Sequence, residues 1–138
     1  MKIFLYFSIL FFCSSAFAGW IKLNQNEAMD IAYFIDLENI RGSSERLRMW
    51  TLTDYRNIQA TKKIKYQSIK SLVEINCQSK NMRILAYSLY EKSMAKGKVV
   101  FSKGRPFKWE QVMPSTVNGL FLNLGCSKIE MECSKKLC

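Results

Sequence analysis

The amino-acid sequence predicts an α+β fold, an antiparallel β-sheet of about six strands packed against one C-terminal α-helix and stabilised by disulfides. Apolar and polar residues alternate with a period of two through most of the chain, which is typical of strands. One apolar stripe with helical spacing follows near the C-terminus, and four cysteines lie beyond residue 18. Residues 19–138 suffice for a single domain and are too few for two.

The first 18 residues are predicted to be a secretory signal peptide. Lys2 supplies a positive charge, Ile3 to Phe12 form an apolar run, and residues 16–18 are an A-x-A cleavage signature. The run is about half the length of a membrane-spanning helix. Cys13 follows Phe12 rather than the small residue that lipoprotein processing requires. We therefore expect cleavage after Ala18 without lipid attachment, and export through the Sec pathway to the periplasm, the outer surface or the medium.

Six segments beyond the leader have the alternation of strands. They are Trp20–Leu23, residues 31–38, residues 46–53, Tyr66–Cys77, Met82–Tyr90 and Val99–Phe101. Within the fourth segment Ile69, Val73 and Ile75 share one face, while Lys70 and Glu74 take the other. The turn-rich tetrad Gln78-Ser79-Lys80-Asn81 and the turn at Lys96-Gly97-Lys98 separate the later segments. Short connections between consecutive strands predict an antiparallel meander.

One segment follows a helical pattern instead. Its apolar residues recur at helical spacing, and they are Val117, Leu120, Phe121 and Leu124. Ser115 is the predicted N-cap, and Gly125 the predicted C-terminal stop. Gly119 inside the segment costs roughly 1 kcal/mol relative to Ala, so the helix should depend on packing against the sheet. The tail of residues 127–138 is expected to be extended or hooked.

The cysteines predict disulfides rather than a metal site. Those beyond the leader are Cys77, Cys126, Cys133 and Cys138, an even number that allows two disulfides in three connectivities. The spacing favours a small loop between Cys133 and Cys138, with Cys77 and Cys126 joining distant segments. The chain has no histidine and no Cys-x-x-Cys pair, which argues against a zinc site, and we expect neither metal nor cofactor.

The sequence also argues against an enzyme. Without histidine a Ser-His-Asp or Cys-His nucleophile system cannot be built, and the chain has neither a phosphate-binding loop nor a dinucleotide fingerprint. Four carboxylates could meet in space, and they are Asp30, Asp36, Asp54 and Glu74. Nothing in their spacing requires it, so a carboxylate-based hydrolase is the weakest interpretation.

Basic residues define the candidate binding patch. The formal net charge of +10 attracts polyanions without indicating a fold. The patch combines two groups of residues. Two arginines, Arg46 and Arg48, lie two positions apart on one strand face, and three lysines, Lys62, Lys63 and Lys65, come closest to forming a basic cluster. Trp50 and Trp109 are potential anchors, although tryptophan in such positions more often serves packing.

Several segments, taken in order, are similar to those of a known family. They are residues 50–55, 66–68, 74–77, 82–85 and 94–97, Trp109, Pro114-Ser115 and Cys126. Their order and spacing resemble the surface-adhesin protein E-like domain of proteobacteria over roughly residues 20–126. The resemblance implies export, a sheet packed on a C-terminal helix, a Cys77–Cys126 disulfide and, for the named adhesin, attachment to host matrix proteins. The chain departs from the family in lacking a convincing lipobox and in adding Cys133 and Cys138.

Two functional interpretations follow. The first is an exported, non-enzymatic binding or adhesion module whose partner is a host extracellular-matrix protein or an anionic envelope component. The alternative is a periplasmic basic protein that binds polyanionic envelope components or nucleic acid. Neither requires an integral membrane span after processing. A homodimer formed through an exposed strand edge is compatible with both.

Overall fold

A computed structural model describes residues 19–23 and 30–136. The predicted signal peptide and Cys138 lie outside these residues. The strands are β1 (Trp20–Leu23), β2 (Ile31–Asp36), β3 (Arg41–Ser43), β4 (Arg46–Thr61), β5 (Ile64–Asn76), β6 (Asn81–Tyr90), β7 (Val99–Lys103) and β8 (Glu110–Gln111). A short 3-10 turn spans Ser93–Ala95, and the helix α1 spans Val117–Lys136. No helix within the described ranges is long and apolar enough to cross a membrane.

The sheet is antiparallel, as predicted. Its main path runs β1-β2-β4-β5-β6-β7, and these six strands are the six that the alternation indicates. Two short strands were not predicted: β3 pairs with β4, and β8 pairs with β6. The hairpin between β4 and β5 extends beyond the predicted strands and turns at Lys62-Lys63, where Lys62 has a positive φ of 52°.

Alternation puts the core on one face of the sheet, beneath α1. Leu47 and Met49 of β4 are fully buried there, as is Ile75 of β5. From the helix, Phe121 and Cys126 join the same apolar cluster. The predicted α+β class is thereby confirmed, and burial of these apolar side chains is what attaches the helix to the sheet.

A disulfide between Cys77 and Cys126 crosses this interface, with 5.8 Å between the two Cα atoms. Cys77 directly follows β5, and Cys126 lies in the middle of α1. The bridge therefore ties the helix to the end of a central strand, as the resemblance implied. Cys133 is also disulfide-bonded, but its partner lies outside the described residues, so its pairing with Cys138 stays a prediction.

The predicted end of the helix is wrong. Gly125 does not stop α1, which continues to Lys136, so the described part of the tail is helical rather than extended. Gly125 is instead a point of close approach: a Cβ there would lie 2.8 Å from Leu47 Cδ2 and 3.1 Å from Met49 Sδ. The glycine serves contact with the sheet, and the backbone keeps its helical conformation.

The start of the helix also differs from the prediction by one residue. Thr116, not Ser115, caps α1, because its Oγ1 accepts a hydrogen bond from the Gly119 N–H at 3.2 Å. A Cβ on Gly119 would lie 2.5 Å from the Pro114 carbonyl oxygen. Glycine at this position lets the first turn of the helix fold back onto the preceding backbone.

Candidate functional site: the open face of the sheet

The sheet face opposite α1 is called here the open face. Since Leu47 and Met49 point towards the helix, Arg48 and Trp50 between and beside them point away from it. On β5, Val73 and Ile75 belong to the core, so the alternate residues of that strand face the other way. Charged and aromatic residues of this face include Trp20, Asp36, Arg48, Trp50, Lys70, Glu74, Arg83 and Trp109.

A row of three charged side chains crosses the open face. Arg48, Glu74 and Arg83 are direct neighbours on β4, β5 and β6. Arg48 Nε donates to Glu74 Oε1 at 3.1 Å, and Arg83 Nε donates to Oε2 at 2.7 Å. The Glu74 side chain is fully buried, whereas those of Arg48 and Arg83 are 52% and 22% exposed. One carboxylate thus holds two arginines in fixed positions at the surface.

The electrostatics of Glu74 favour its ionised form. Burial removes water from the carboxylate and by itself raises its pKa. Hydrogen bonds from Arg83 and Arg48, together with the charges of the two guanidinium groups, outweigh this and hold the pKa below its ordinary value. Glu74 is therefore the buried anion of an ion-paired network, although the alternation alone assigned it simply to a polar face.

The row ends in an aromatic ring. The Arg83 guanidinium lies 4.5 Å from the centroid of the Trp109 ring, which is a cation–π distance. Trp109 remains 37% exposed. Arg48, Glu74, Arg83 and Trp109 are referred to below as the ionic row.

A second cluster lies beside the ionic row, on β1 to β5 and the connection between β2 and β3. Lys70 Nζ lies 4.6 Å from the centroid of the Trp50 ring and 5.9 Å from that of Trp20. The two indoles and the ammonium line a cleft of about 460 Å³, and the residues around it are Trp20, Asp36, Asn39, Arg41, Trp50 and Lys70. This set is referred to as the tryptophan cleft.

Asp36 shapes one wall of the tryptophan cleft. It is only 7% exposed, and its Oδ1 accepts the backbone N–H groups of Glu38 and Asn39 at 3.2 and 3.1 Å. Its Oδ2 accepts the Asn39 side-chain amide at 2.8 Å. An aspartate that binds the following backbone in this way forms a turn, which explains why β2 ends at Asp36 instead of continuing to residue 38.

The far end of the open face is covered by the 3-10 turn. Asp54 accepts hydrogen bonds from Ser93 Oγ at 2.7 Å and from the Met94 N–H at 2.8 Å. The buried Ser68 hydroxyl accepts the Ala95 N–H at 2.9 Å. Met94 and Ala95 both have positive φ angles, 56° and 54°, and these contacts hold the otherwise unfavourable backbone in place.

The predicted basic patch is divided by the structure. Arg46 and Arg48 lie at the start of β4, whereas Lys62, Lys63 and Lys65 lie at the hairpin that ends it. At about 3.3 Å per residue, roughly 40 Å of strand separates the two groups. The five residues therefore form two separate basic regions, and only Arg48 belongs to the ionic row.

The four carboxylates considered for catalysis have separate partners. Asp30 pairs with Arg56 at 3.2 Å, while Asp36, Asp54 and Glu74 make the contacts described above. Among the described residues no group of histidine, cysteine, aspartate and glutamate side chains is arranged to hold a metal ion. The structure thus brings together aromatic and cationic side chains rather than an acid–base pair.

Sequence reasoning missed Trp20, Arg83 and Arg41 as members of the site. The signal for Arg83 was available in principle, because an antiparallel meander with the right register puts it opposite Glu74. This register is set by the short turn at residues 77–80, because Glu74 pairs with Arg83 on the turn side of the bulge between Leu72 and Val73.

Comparisons with known proteins agree with this architecture. A family model described as surface-adhesin protein E matches residues 20–127. No curated protein sequence matches the chain significantly.

Solved structures of Haemophilus influenzae protein E share the fold. Crystal form II is 16% identical, with a TM-score of 0.64 over 82% of this chain and 91% of that one. A selenomethionine form is 14% identical, with a TM-score of 0.62 over 80% and 87%. Protein E from a non-typeable strain is 16% identical, with a TM-score of 0.60 over 83% and 79%. At these identities the likeness shows the fold alone.

Proposed function

The chain belongs to the surface-adhesin protein E family, and we propose that it is a non-enzymatic binding module of the bacterial envelope that contacts its partner through the open face. Membership in the family implies an exported, cell-surface protein. For the export route we propose that residues 1–18 are removed as a signal peptide, leaving Gly19 as the N-terminus. Mass spectrometry that detects an intact Met1 or a diacylglycerol on Cys13 would refute this processing.

The ionic row is the observation that carries the binding proposal. Arginine and tryptophan are the side chains that most often dominate the energy of protein–protein contacts. Here Glu74 holds two arginines, and Arg83 in turn stacks on a partly exposed indole. Side chains fixed in this way lose little conformational entropy when a partner binds, so the row is suited to contact a host extracellular-matrix protein.

A pair of matched variants tests this proposal. Trp109 and Phe107 are 37% and 40% exposed and lie two residues apart, but the Phe107 ring contacts Tyr87, whereas the Trp109 ring contacts Arg83. We expect Trp109→Ala to weaken binding to immobilised host matrix proteins at least tenfold, and Phe107→Ala to change it less than twofold. The proposal would be contradicted if the two substitutions had equal effects. It would also be contradicted if the unsubstituted protein bound none of the immobilised matrix proteins.

The alternative function is binding of polyanionic envelope components or nucleic acid by charge. It is favoured by the exposed lysines at the tip of the β4–β5 hairpin, which are Lys62, Lys63 and Lys65. Binding of this kind weakens steeply as salt is raised, whereas contacts made by the ionic row should persist. Replacing the three lysines with Gln should lower retention on a heparin column if charge is responsible, and unchanged retention would exclude this alternative.

A further inference from the structure

We propose that the tryptophan cleft binds a carboxylated sugar residue of an acidic glycan. This inference rests on the proposed function, because it places a ligand on the same open face, but it involves a different cluster of side chains from the ionic row. The cleft volume of about 460 Å³ lies within the range of small-molecule sites and would accommodate one or two sugar rings.

The aromatic walls fit the apolar side of a sugar ring. A pyranose presents C–H groups on one face, which pack against the flat surface of an indole, and its hydroxyls point outwards from the rim. Trp20 and Trp50 are each partly exposed, and the Lys70 ammonium lies 5.9 Å and 4.6 Å from their ring centroids. They therefore offer aromatic surfaces next to a polar group, which suits an amphipathic ring.

The charge of the cleft selects the kind of sugar. Lys70 is held near two indole faces, which attract its ammonium without neutralising it. Arg41 adds a second cation, and one of its N–H groups donates to the Ile40 carbonyl at 3.0 Å, which leaves donors for a ligand. Among the residues that line the cleft, two cations face the single carboxylate of Asp36, so a carboxylate on the sugar would be bound more strongly than a neutral ring.

Asp36 argues for a sugar over a nucleic acid. Its oxygens accept three hydrogen bonds from residues 38 and 39, and two carboxylate oxygens have capacity for about four. The remaining capacity suits a hydroxyl donor. A phosphodiester group would place only acceptor oxygens and negative charge next to the Asp36 carboxylate, whereas a sugar ring offers several hydroxyl donors.

Carboxylated sugars occur both in host glycosaminoglycans and in bacterial envelope polysaccharides. The chemistry recognised is the same in each case: a pyranose with a carboxylate and free hydroxyls. The test therefore uses one probe from each source. These are a hyaluronan hexasaccharide, which contains glucuronic acid, and a deacylated lipopolysaccharide core oligosaccharide that carries ketodeoxyoctonate.

Isothermal titration calorimetry on the protein purified after export measures the affinity for both probes. Chitohexaose, which has the same N-acetylglucosamine units as hyaluronan but no carboxylate, is the neutral control. We expect saturable binding of at least one acidic probe, at least tenfold tighter than binding of chitohexaose. Lys70→Gln and Trp20→Ala should each weaken it at least tenfold.

Lys103→Gln is the matched control variant, because Lys103 Nζ lies 4.5 Å from the Phe107 ring, away from the cleft. It should leave the affinity within twofold. Equal binding of acidic and neutral probes, no saturable binding of either acidic probe at millimolar concentration, or full affinity in Lys70→Gln would overturn the inference. The proposed function is tested separately by Trp109→Ala on matrix proteins, so either can fail while the other holds.

Discussion

Along β4, Leu47 and Met49 are completely buried beneath the helix, while Arg48 between them has a side chain that is 52% exposed on the other side of the sheet. The helix-covered face is held by apolar burial and by a disulfide. The open face is held by ion pairs and by cations near aromatic rings. One set of strands therefore supplies both stability and a contact surface, because successive residues point to opposite sides.

The largest expected effect concerns the bridge on the covered face. Replacing both Cys77 and Cys126 with Ser should lower the free energy of unfolding by about 4 kcal/mol through loop entropy, since 49 positions separate the two residues. Replacing Cys133 and Cys138 removes a much shorter loop and should cost about 2 kcal/mol. Chemical denaturation under oxidising conditions measures both. Equal denaturation midpoints of the two double variants would show that the Cys77–Cys126 bridge stabilises the protein no more than the second bridge does.

Peptide mapping of the oxidised protein checks the pairing on which that comparison depends. It should recover Cys77 joined to Cys126 and Cys133 joined to Cys138. Recovery of Cys133 joined to any other cysteine would show that the second bridge has been assigned incorrectly.

The next effect concerns the open face. Glu74→Gln should destabilise the protein by about 3 kcal/mol, because it leaves two arginines without their buried anion. Glu110→Gln, at an exposed position of β8, should change stability by less than about 0.5 kcal/mol. Urea denaturation of both variants measures the difference. If Glu74→Gln were as mild as the control, the ionic row would not contribute to the stability of this face.

A smaller effect should come from the closest contact on the covered face. Gly125→Ala brings a Cβ within 2.8 Å of Leu47 Cδ2, which should cost about 1 kcal/mol after the better helix propensity of Ala is included. Gly104→Ala is the matched control, because no heavy atom lies within 4 Å of a Cβ there. In thermal denaturation, only Gly125→Ala should have a lower Tm than the unsubstituted protein. A higher Tm for Gly125→Ala would mean that the helix can move slightly away from the sheet without loss of stability.

The smallest effect is expected from mild acidification. The pKa of Glu74 is lower in the folded protein than its ordinary value of 4.5, so its contribution to stability is complete above that pH. The contribution is lost as the pH falls from there through the folded pKa. The difference in stability between the parent and Glu74→Gln should therefore shrink only below that pH. A difference that is constant down to pH 3 would contradict this assignment.

The covered face was largely predictable from the sequence, since burial follows the alternation of residues such as Leu47, Met49 and Ile75. The extent of the helix was not, because Gly125 has the character of a stop signal and its real role depends on how closely β4 approaches. The open face was predictable only in part. Arg48 could be named from its strand, but its pairing with Glu74 depends on a register shift between Asp54 and Gln59, which no local pattern reveals.

The three tryptophans of the chain, Trp20, Trp50 and Trp109, all belong to the open face, and each has a cationic side chain near its ring. The protein thus carries its own optical reporter for one side of the sheet, since the fluorophores are absent from the core. Emission followed during heating would record the order of this surface. Far-UV circular dichroism at 222 nm would record the helix on the other side. Melting curves that diverge would reveal the two sides losing order in succession.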